Sequence, residues 1–227
     1  MATLAANSKL HRTLRFYEAA AGKKTVMALT GIAIWGFVIA HLAGNLQVFL
    51  GPTKLDEYGH LLRTMPGLLW TARLGLLAMF VLHITSALQL WALKKRARPT
   101  PYAKKTPTTS TWASRVMYFS GPVLLVFVIY HLLDLTLGVV NPGFEEGAVT
   151  ANLVRSFSNP LVAIFYIASM TMLWAHLHHG IWSLFQTIGF NHPKYDGTLR
   201  TAAAVIAVLL AGGNIAIVLS VLLGIIK

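Results

Sequence analysis

Five apolar stretches, each long enough to cross a lipid bilayer, constrain this 227-residue chain more than any other feature. A membrane-spanning helix needs about 20 apolar residues, and the stretches cover roughly 25–49, 68–93, 114–139, 160–187 and 201–226. None shows the alternating pattern of a transmembrane β-strand. With 56% hydrophobic and only 11% charged residues, the sequence predicts an all-α integral membrane fold. We expect five transmembrane helices, the first four forming a bundle, in a single domain over residues 1–227.

The charged residues predict the orientation of these helices. Lys and Arg number 19 against 7 Asp and Glu, for a net charge of +12. In a soluble protein this excess would suggest nucleic acid, but here it lies in the links that flank apolar segments, so we expect no nucleic-acid partner. The positive-inside rule places the N-terminus in the cytoplasm and the C-terminus outside, in a multi-pass protein of the cytoplasmic membrane. The absence of cysteine excludes disulfides and cysteine-ligated clusters.

Histidine recurs inside the apolar stretches. The run FVIAHL at 37–42 returns as FVIYHL at 127–132, and each copy has a glycine ten residues before its histidine. A single membrane histidine is most often explained by a hydrogen bond between helices. Histidines on four successive segments indicate a shared site, because ionisable groups at such depth are rare and usually functional. The histidines within the segments are His41, His83, His131, His176, His178 and His179.

Prolines at the predicted outer helix ends, namely Pro52, Pro66, Pro142 and Pro160, serve as depth markers. The histidines of the first and third segments each lie eleven residues before such a proline. Those of the second and fourth lie seventeen and sixteen residues after one. At about 1.5 Å per residue, the first pair is roughly 16 Å and the second roughly 25 Å from the outer ends. The spacing therefore predicts an outer and an inner histidine level.

Two stacked histidine pairs in a four-helix bundle are typical of two b-type haems, each held by an imidazole on either face. Gly31 and Gly121 would let the inner macrocycle approach, although helix packing explains each of them equally well. On the fourth segment His176 best matches the depth of His83, His178 faces away, and His179 stays a rival. Zinc is less attractive, because ligands at two levels do not form a tetrahedral site.

The chain resembles the diheme cytochrome b membrane-anchor subunit of succinate dehydrogenases and fumarate reductases, the succinate:quinone oxidoreductases, of the five-helix single-anchor type. The resemblance covers nearly the whole chain and rests on the four spaced histidines, Ser120-Gly121 before His131, and the run HLHHGIWS over 176–183. It implies two haem b groups whose axial iron ligands are His83 with His176 for the inner haem and His41 with His131 for the outer haem. The position of the His-x-x-x-Gly motif favours His176 over His179.

The resemblance also implies partners. They are a flavoprotein subunit that carries the dicarboxylate site and an iron–sulfur subunit, both on the cytoplasmic face, together with a membrane quinone that is usually menaquinone. The complex could form a higher oligomer. Some fumarate-reducing members carry a glutamate where this chain has Trp174, which favours succinate oxidation within the respiratory chain and tricarboxylic acid cycle. The alternatives are a fumarate reductase anchor running in the opposite direction, or a histidine-containing transporter or anchor without haem.

A quinone near the outer haem needs a polar group that exchanges protons. Asp134 is the only acid inside an apolar segment and lies one turn beyond His131, while Asn45 lies one turn beyond His41. Glu57 in the outer link is a further candidate, with Asp56 and His60 beside it. Partners for haem propionates at the inner level are expected among Thr30, Trp112, Ser114, Arg115 and Ser183. The fifth segment contains no histidine, and we expect it to pack peripherally.

Overall fold

The chain folds into long antiparallel helices in a computed structural model that describes residues 15–97, 112–190 and 192–227. No β-strand occurs in these ranges. The helices are α1 (Ala20–Asn45), α2 (Lys54–Arg63), α3 (Pro66–Ala97), α4 (Trp112–Leu135), α5 (Val149–Phe157), α6 (Pro160–Thr187) and α7 (Pro193–Leu222). A 3₁₀ turn, Leu46–Leu50, directly follows α1. Five of these, α1, α3, α4, α6 and α7, are long and apolar enough to cross a membrane. The predicted all-α membrane fold is confirmed.

Capping residues explain where the observed bounds differ from the apolar stretches. α7 begins eight residues before the predicted 201, because Pro193 suits the first helical position and the His192 side chain accepts a hydrogen bond from the Lys194 backbone N–H at 3.1 Å. α6 begins at Pro160 as predicted, capped by the Asn159 side chain, which accepts from Leu161 N at 3.0 Å. Hydropathy finds the apolar part of a helix and misses its polar first turn.

Two short helices occupy the links between membrane segments at one end of the bundle. α2 has acidic residues in its first turn and basic residues in its last, the arrangement that the helix dipole favours. α5 buries Leu153 and Phe157 on one face. The two helices pack against each other, and each also contacts a membrane helix. We call the end of the bundle that they cover the capped end, and the opposite end, which carries Lys94, Lys95 and Arg96, the basic end.

Helix α6 is the centre of the packing. α1 packs along α3, α4 along α6, and α6 along α7, while α1 also contacts α6 and α7. Small side chains on α7, Ala203, Ala207 and Ala211, are almost fully buried, and such residues let membrane helices approach closely. A Cβ at Gly213 of α7 would lie 2.9 Å from Leu42 of α1. α7 therefore supports the core of the bundle from one side, while the long faces of α3 and α4 carry most of their large apolar side chains exposed.

Asp56 joins the two short helices at the capped end. Its Oδ1 accepts a hydrogen bond from the backbone N–H of Thr150, in the first turn of α5, at 2.8 Å. Free N–H groups in a first turn need such an acceptor, and here a neighbouring helix supplies it. Asp56, a sequence-level alternative for the quinone site, thus has a structural contact to α5.

We expect Asp56→Ala to lower the free energy of unfolding by about 0.5–2 kcal/mol, the usual cost of removing a capping oxygen. The midpoint of denaturant unfolding of the detergent-solubilised protein measures the change. Asp56→Asn keeps an acceptor oxygen at this position and should lose less. Equal midpoints for Asp56→Ala and the unchanged protein would contradict this role.

Candidate functional site: two histidine pairs

The four singled-out histidines lie as two facing pairs. The ring centres of His41 on α1 and His131 on α4 are 5.7 Å apart with planes at 88°. Those of His83 on α3 and His176 on α6 are 6.5 Å apart with planes at 58°. Each pair joins the α1–α3 hairpin to the α4–α6 hairpin. We call them the capped-end pair and the basic-end pair.

The two pairs lie at different depths, as the positions of Gly31 and His41 along α1 show. A Cβ at Gly31 would lie 3.4 Å from Cε1 of His83, so Gly31 is level with the basic-end pair. His41 follows ten residues later on the same helix, about 15 Å further along its axis. At Gly121 and Gly180, an added Cβ would meet no described atom within 4 Å.

Hydrogen bonds orient the basic-end pair. Nδ1 of His83 lies 3.1 Å from the backbone carbonyl of Met27 and 3.2 Å from Oγ1 of Thr30. A carbonyl only accepts, and the Thr30 hydroxyl already donates to the Val26 carbonyl at 2.8 Å, so Nδ1 of His83 must be the donor. The neutral ring then keeps its lone pair on Nε2. Thr30, a predicted propionate partner, contacts the imidazole itself.

His176 is held in the same tautomer. Its Nδ1 lies 3.1 Å from Oγ of Ser120. Because the Ser120 hydroxyl donates to the Met117 carbonyl at 3.3 Å, its oxygen accepts from Nδ1–H of His176. The lone pair of His176 is again on Nε2. Ser120, noted in the sequence only as part of a motif, is thus the oxygen partner of a histidine on a different helix.

His131 has a longer chain of partners. Its Nδ1 lies 3.4 Å from the hydroxyl of Tyr166, which donates to Oδ2 of Asp134 at 2.8 Å. The same carboxyl oxygen accepts from the Ser156 hydroxyl of α5 at 2.6 Å. Since the single hydroxyl hydrogen of Tyr166 is given to Asp134, its oxygen is left to accept from His131.

The remaining histidines of α6 lie against tryptophan. His178 lies 6.0 Å from Trp174 between ring centres, and His179 lies 6.2 Å from Trp182. His176 alone of the three faces another histidine in the described part of the chain. The same ranges contain no group of three or more His, Cys, Asp or Glu residues that could hold a bare metal ion.

The basic-end separation is close to that expected for a metal ion between two imidazoles, and the capped-end separation is somewhat shorter. Two metal–nitrogen bonds of about 2 Å, with about 1.2 Å from each ring centre to its nitrogen, put opposed imidazole centres about 6.4 Å apart. The observed separations are 5.7 and 6.5 Å. With Nε2 as the lone-pair nitrogen in His83, His131 and His176, the donor set suits bis-imidazole ligation.

Residues 93–216 match the family model described as the succinate dehydrogenase/fumarate reductase transmembrane subunit. The match covers more than half of the chain and spans both α4 and α6, with their histidines. The chain belongs to this family. It is a multi-pass membrane subunit, and its family implies association with the soluble flavoprotein and iron–sulfur subunits, where catalysis lies. No curated protein and no solved structure matches the chain.

The three residues suggested for the quinone lie in different environments in this family member. Asp134 is 1% exposed and engaged by Tyr166 and Ser156. Glu57 is exposed, and hydrogen bonds from Lys54 and Thr53 hold the pKa of its carboxyl below the usual value. Asn45 is half-buried at the end of α1. No hydrogen bond between these three occurs in the described ranges.

The predicted propionate partners are spread over the basic end. Trp112 lies 6.2 Å from Trp174 between ring centres, and Ser183 accepts from Thr187 through its backbone oxygen. Arg115 lies in the first turn of α4, and the side chain of Ser114 is outside the described residues. Of Thr30, Trp112 and Ser183, only Thr30 forms a hydrogen bond with a basic-end histidine among the described residues.

Sequence reasoning missed Tyr166 and Arg73. Each lies ten residues before a basic-end histidine, Tyr166 on α6 and Arg73 on α3, and is therefore level with the capped-end pair. Applying the ten-residue spacing of Gly31 and His41 to all four helices would have found both. The Arg73 guanidinium lies over the ring of Trp70 at 5.2 Å, and a cation this far inside an apolar helix is unusual.

Proposed function

We propose that this chain is the diheme cytochrome b anchor of a succinate:quinone oxidoreductase, in which His41 and His131 hold one haem b and His83 and His176 the other. The observation that carries the proposal is the pairing of four histidines at two levels, each pair bridging the same two helix hairpins. Haem b supplies a one-electron carrier at each level. The protein's own contribution is to fix the imidazole tautomers and to keep the two levels about 15 Å apart along α1.

In this proposal the basic end faces the cytoplasm and the soluble partners, because its Lys and Arg residues satisfy the positive-inside rule. The capped end then lies outside, and a membrane quinone, menaquinone in our proposal, binds on that side near the capped-end pair. Asn45 is the best placed of the quinone candidates, one turn beyond His41 and half-buried. Arg73, at the same level, supplies a cation suited to a haem carboxylate.

Succinate oxidation is the direction that we propose. Trp174 occupies the position where some fumarate-reducing members carry a glutamate, and its ring packs between Trp112 and His178. An indole cannot exchange protons as a carboxyl does, so α6 offers no acidic group there for a compensating proton path. Succinate-driven haem reduction in the co-purified complex, compared with quinol-driven reduction of fumarate, measures the preference.

The haem assignment is tested by the dithionite-reduced minus oxidised spectrum of the purified protein. We expect a b-type alpha band and two haems per chain by pyridine haemochrome assay. A transporter or structural anchor, whose histidines only bond between helices, would give no such band. Its absence from a folded preparation would refute the proposal.

The rival ligands on α6 are separated by a matched pair of variants. We expect His176→Ala to lower the haem content from two to one per chain, because His83 loses its facing imidazole. His179→Ala should keep both haems, since that ring lies against Trp182. Equal haem content in the two variants would contradict the assignment.

Gly31 provides a steric test of the same level. Because a Cβ there already lies 3.4 Å from His83 Cε1, Gly31→Leu should displace this ring and remove the basic-end haem. The matched control is Gly36→Leu, on the same helix, where an added Cβ meets no described atom within 4 Å. Haem content measures both. If Gly31→Leu kept both haems, the prediction that a side chain at this position displaces His83 would be contradicted.

A further inference from the structure

Asp134 is the least expected side chain in the bundle, because it places a carboxyl in a nearly dry site. It is 1% exposed, and burying such a group is costly unless it is hydrogen-bonded. Its Oδ2 is satisfied by two hydroxyl donors, Tyr166 at 2.8 Å and Ser156 at 2.6 Å. No salt bridge to Asp134 occurs among the described residues. The carboxyl is therefore held by hydrogen bonds from α6 and α5.

The hydrogen bonds of Asp134 continue through Tyr166 to His131. Tyr166 gives its hydrogen to Asp134, so its oxygen faces Nδ1–H of His131 at 3.4 Å. Withdrawal of the hydroxyl hydrogen towards a carboxyl makes the phenol oxygen a better acceptor, since hydrogen bonds in a chain polarise one another. The chain therefore runs from Nδ1–H of His131, through the Tyr166 oxygen, to the Asp134 carboxyl.

The basic-end pair lacks this feature. His83 donates to a backbone carbonyl and His176 to a serine hydroxyl that itself donates to a carbonyl. Both acceptors are neutral. Of the three paired histidines whose Nδ1 is hydrogen-bonded, only His131 is linked to an acidic side chain. The two levels thus differ in the groups behind their ligands while sharing the same ligand type.

We propose that Tyr166, backed by Asp134, is a positioning pair that makes the His131 imidazole a stronger electron donor and so selectively stabilises the oxidised form of the capped-end haem. The inference rests on the proposed function, because it needs a haem at this pair. Outer partners of a ligating histidine raise its basicity, and such hydrogen bonding is one of the means by which a protein sets a haem potential. Asp134 then acts through Tyr166 and His131, without contact to a quinone.

The test is potentiometric titration of both haems in Tyr166→Phe. We expect the capped-end potential to rise and the basic-end potential to stay unchanged, with a shift in the low-spin ferric EPR signal of the capped-end haem alone. The capped-end signal is identified as the one lost in His131→Ala. Tyr130→Phe is the matched control, because this neighbouring ring lies 6.1 Å from Tyr166 and forms no hydrogen bond to His131 within the described part of the chain. It should shift neither potential.

Two further variants distinguish an effect on the capped-end haem potential from simple stabilisation of the fold. Asp134→Asn should raise the same potential by less than Tyr166→Phe does, because an amide still accepts from Tyr166 but polarises it less. Ser156→Ala removes the link to α5 and should lower the unfolding midpoint without shifting either potential. A shift in Ser156→Ala as large as that in Tyr166→Phe would mean that the network only holds the helices, and would overturn the inference.

Failure of the inference can be distinguished from failure of the proposed function. If the unaltered protein binds no haem, the proposed function falls and the inference with it. If both haems are present and the capped-end potential is the same in the unaltered protein, Tyr166→Phe and Asp134→Asn, the inference alone is overturned. Should Tyr166→Phe lose the capped-end haem, the potential of Asp134→Asn decides.

Discussion

The hydrogen bond from histidine Nδ1 to a protein oxygen is the constraint on which the rest of the site depends. A neutral imidazole has one donor and one acceptor nitrogen, and a buried donor needs an acceptor from the protein. By giving Nδ1 an oxygen, the protein fixes the proton there and leaves the Nε2 lone pair for the space between the hairpins. Met27, Ser120 and Tyr166 supply these oxygens from three different helices. The same contacts that satisfy a buried donor therefore leave Nε2 as the nitrogen that would ligate the haem iron in the proposed function.

Helix α6, like α1 and α4, contributes to both histidine levels, and it is also central in the packing. It presents His176 to one pair and Tyr166 to the other, ten residues apart, and it packs along α7, whose Ala203, Ala207 and Ala211 are almost fully buried. The fifth segment was expected to be peripheral because it contains no histidine. Its position shows a different contribution, because α7 packs along α6, one of the helices that serve both levels.

The sequence predicted the five spans and the depth of each histidine, because hydropathy and helical rise depend only on residue order. It could not predict Tyr166 as the partner of His131, since that contact depends on the rotation of α6 about its axis and on which helix lies beside α4. It also missed α2 and α5, which are too short for a hydropathy window. Asp134 was singled out as the only acid inside an apolar segment and as a quinone candidate, but its neighbours Tyr166 and Ser156 could not be inferred from one helix alone.

The two short helices change how the capped end should be understood. Asp56 of α2 caps α5, and Ser156 of α5 donates to Asp134 of α4, which holds Tyr166 beside His131. A surface link is thus connected to the His131 imidazole through consecutive hydrogen bonds and one short helix. Because each of these residues or helices forms a hydrogen bond with the next, the polar groups of the links do more than cover the end of the bundle. They stabilise the position of a buried carboxyl that an apolar interior would otherwise exclude, and that carboxyl distinguishes one histidine pair from the other.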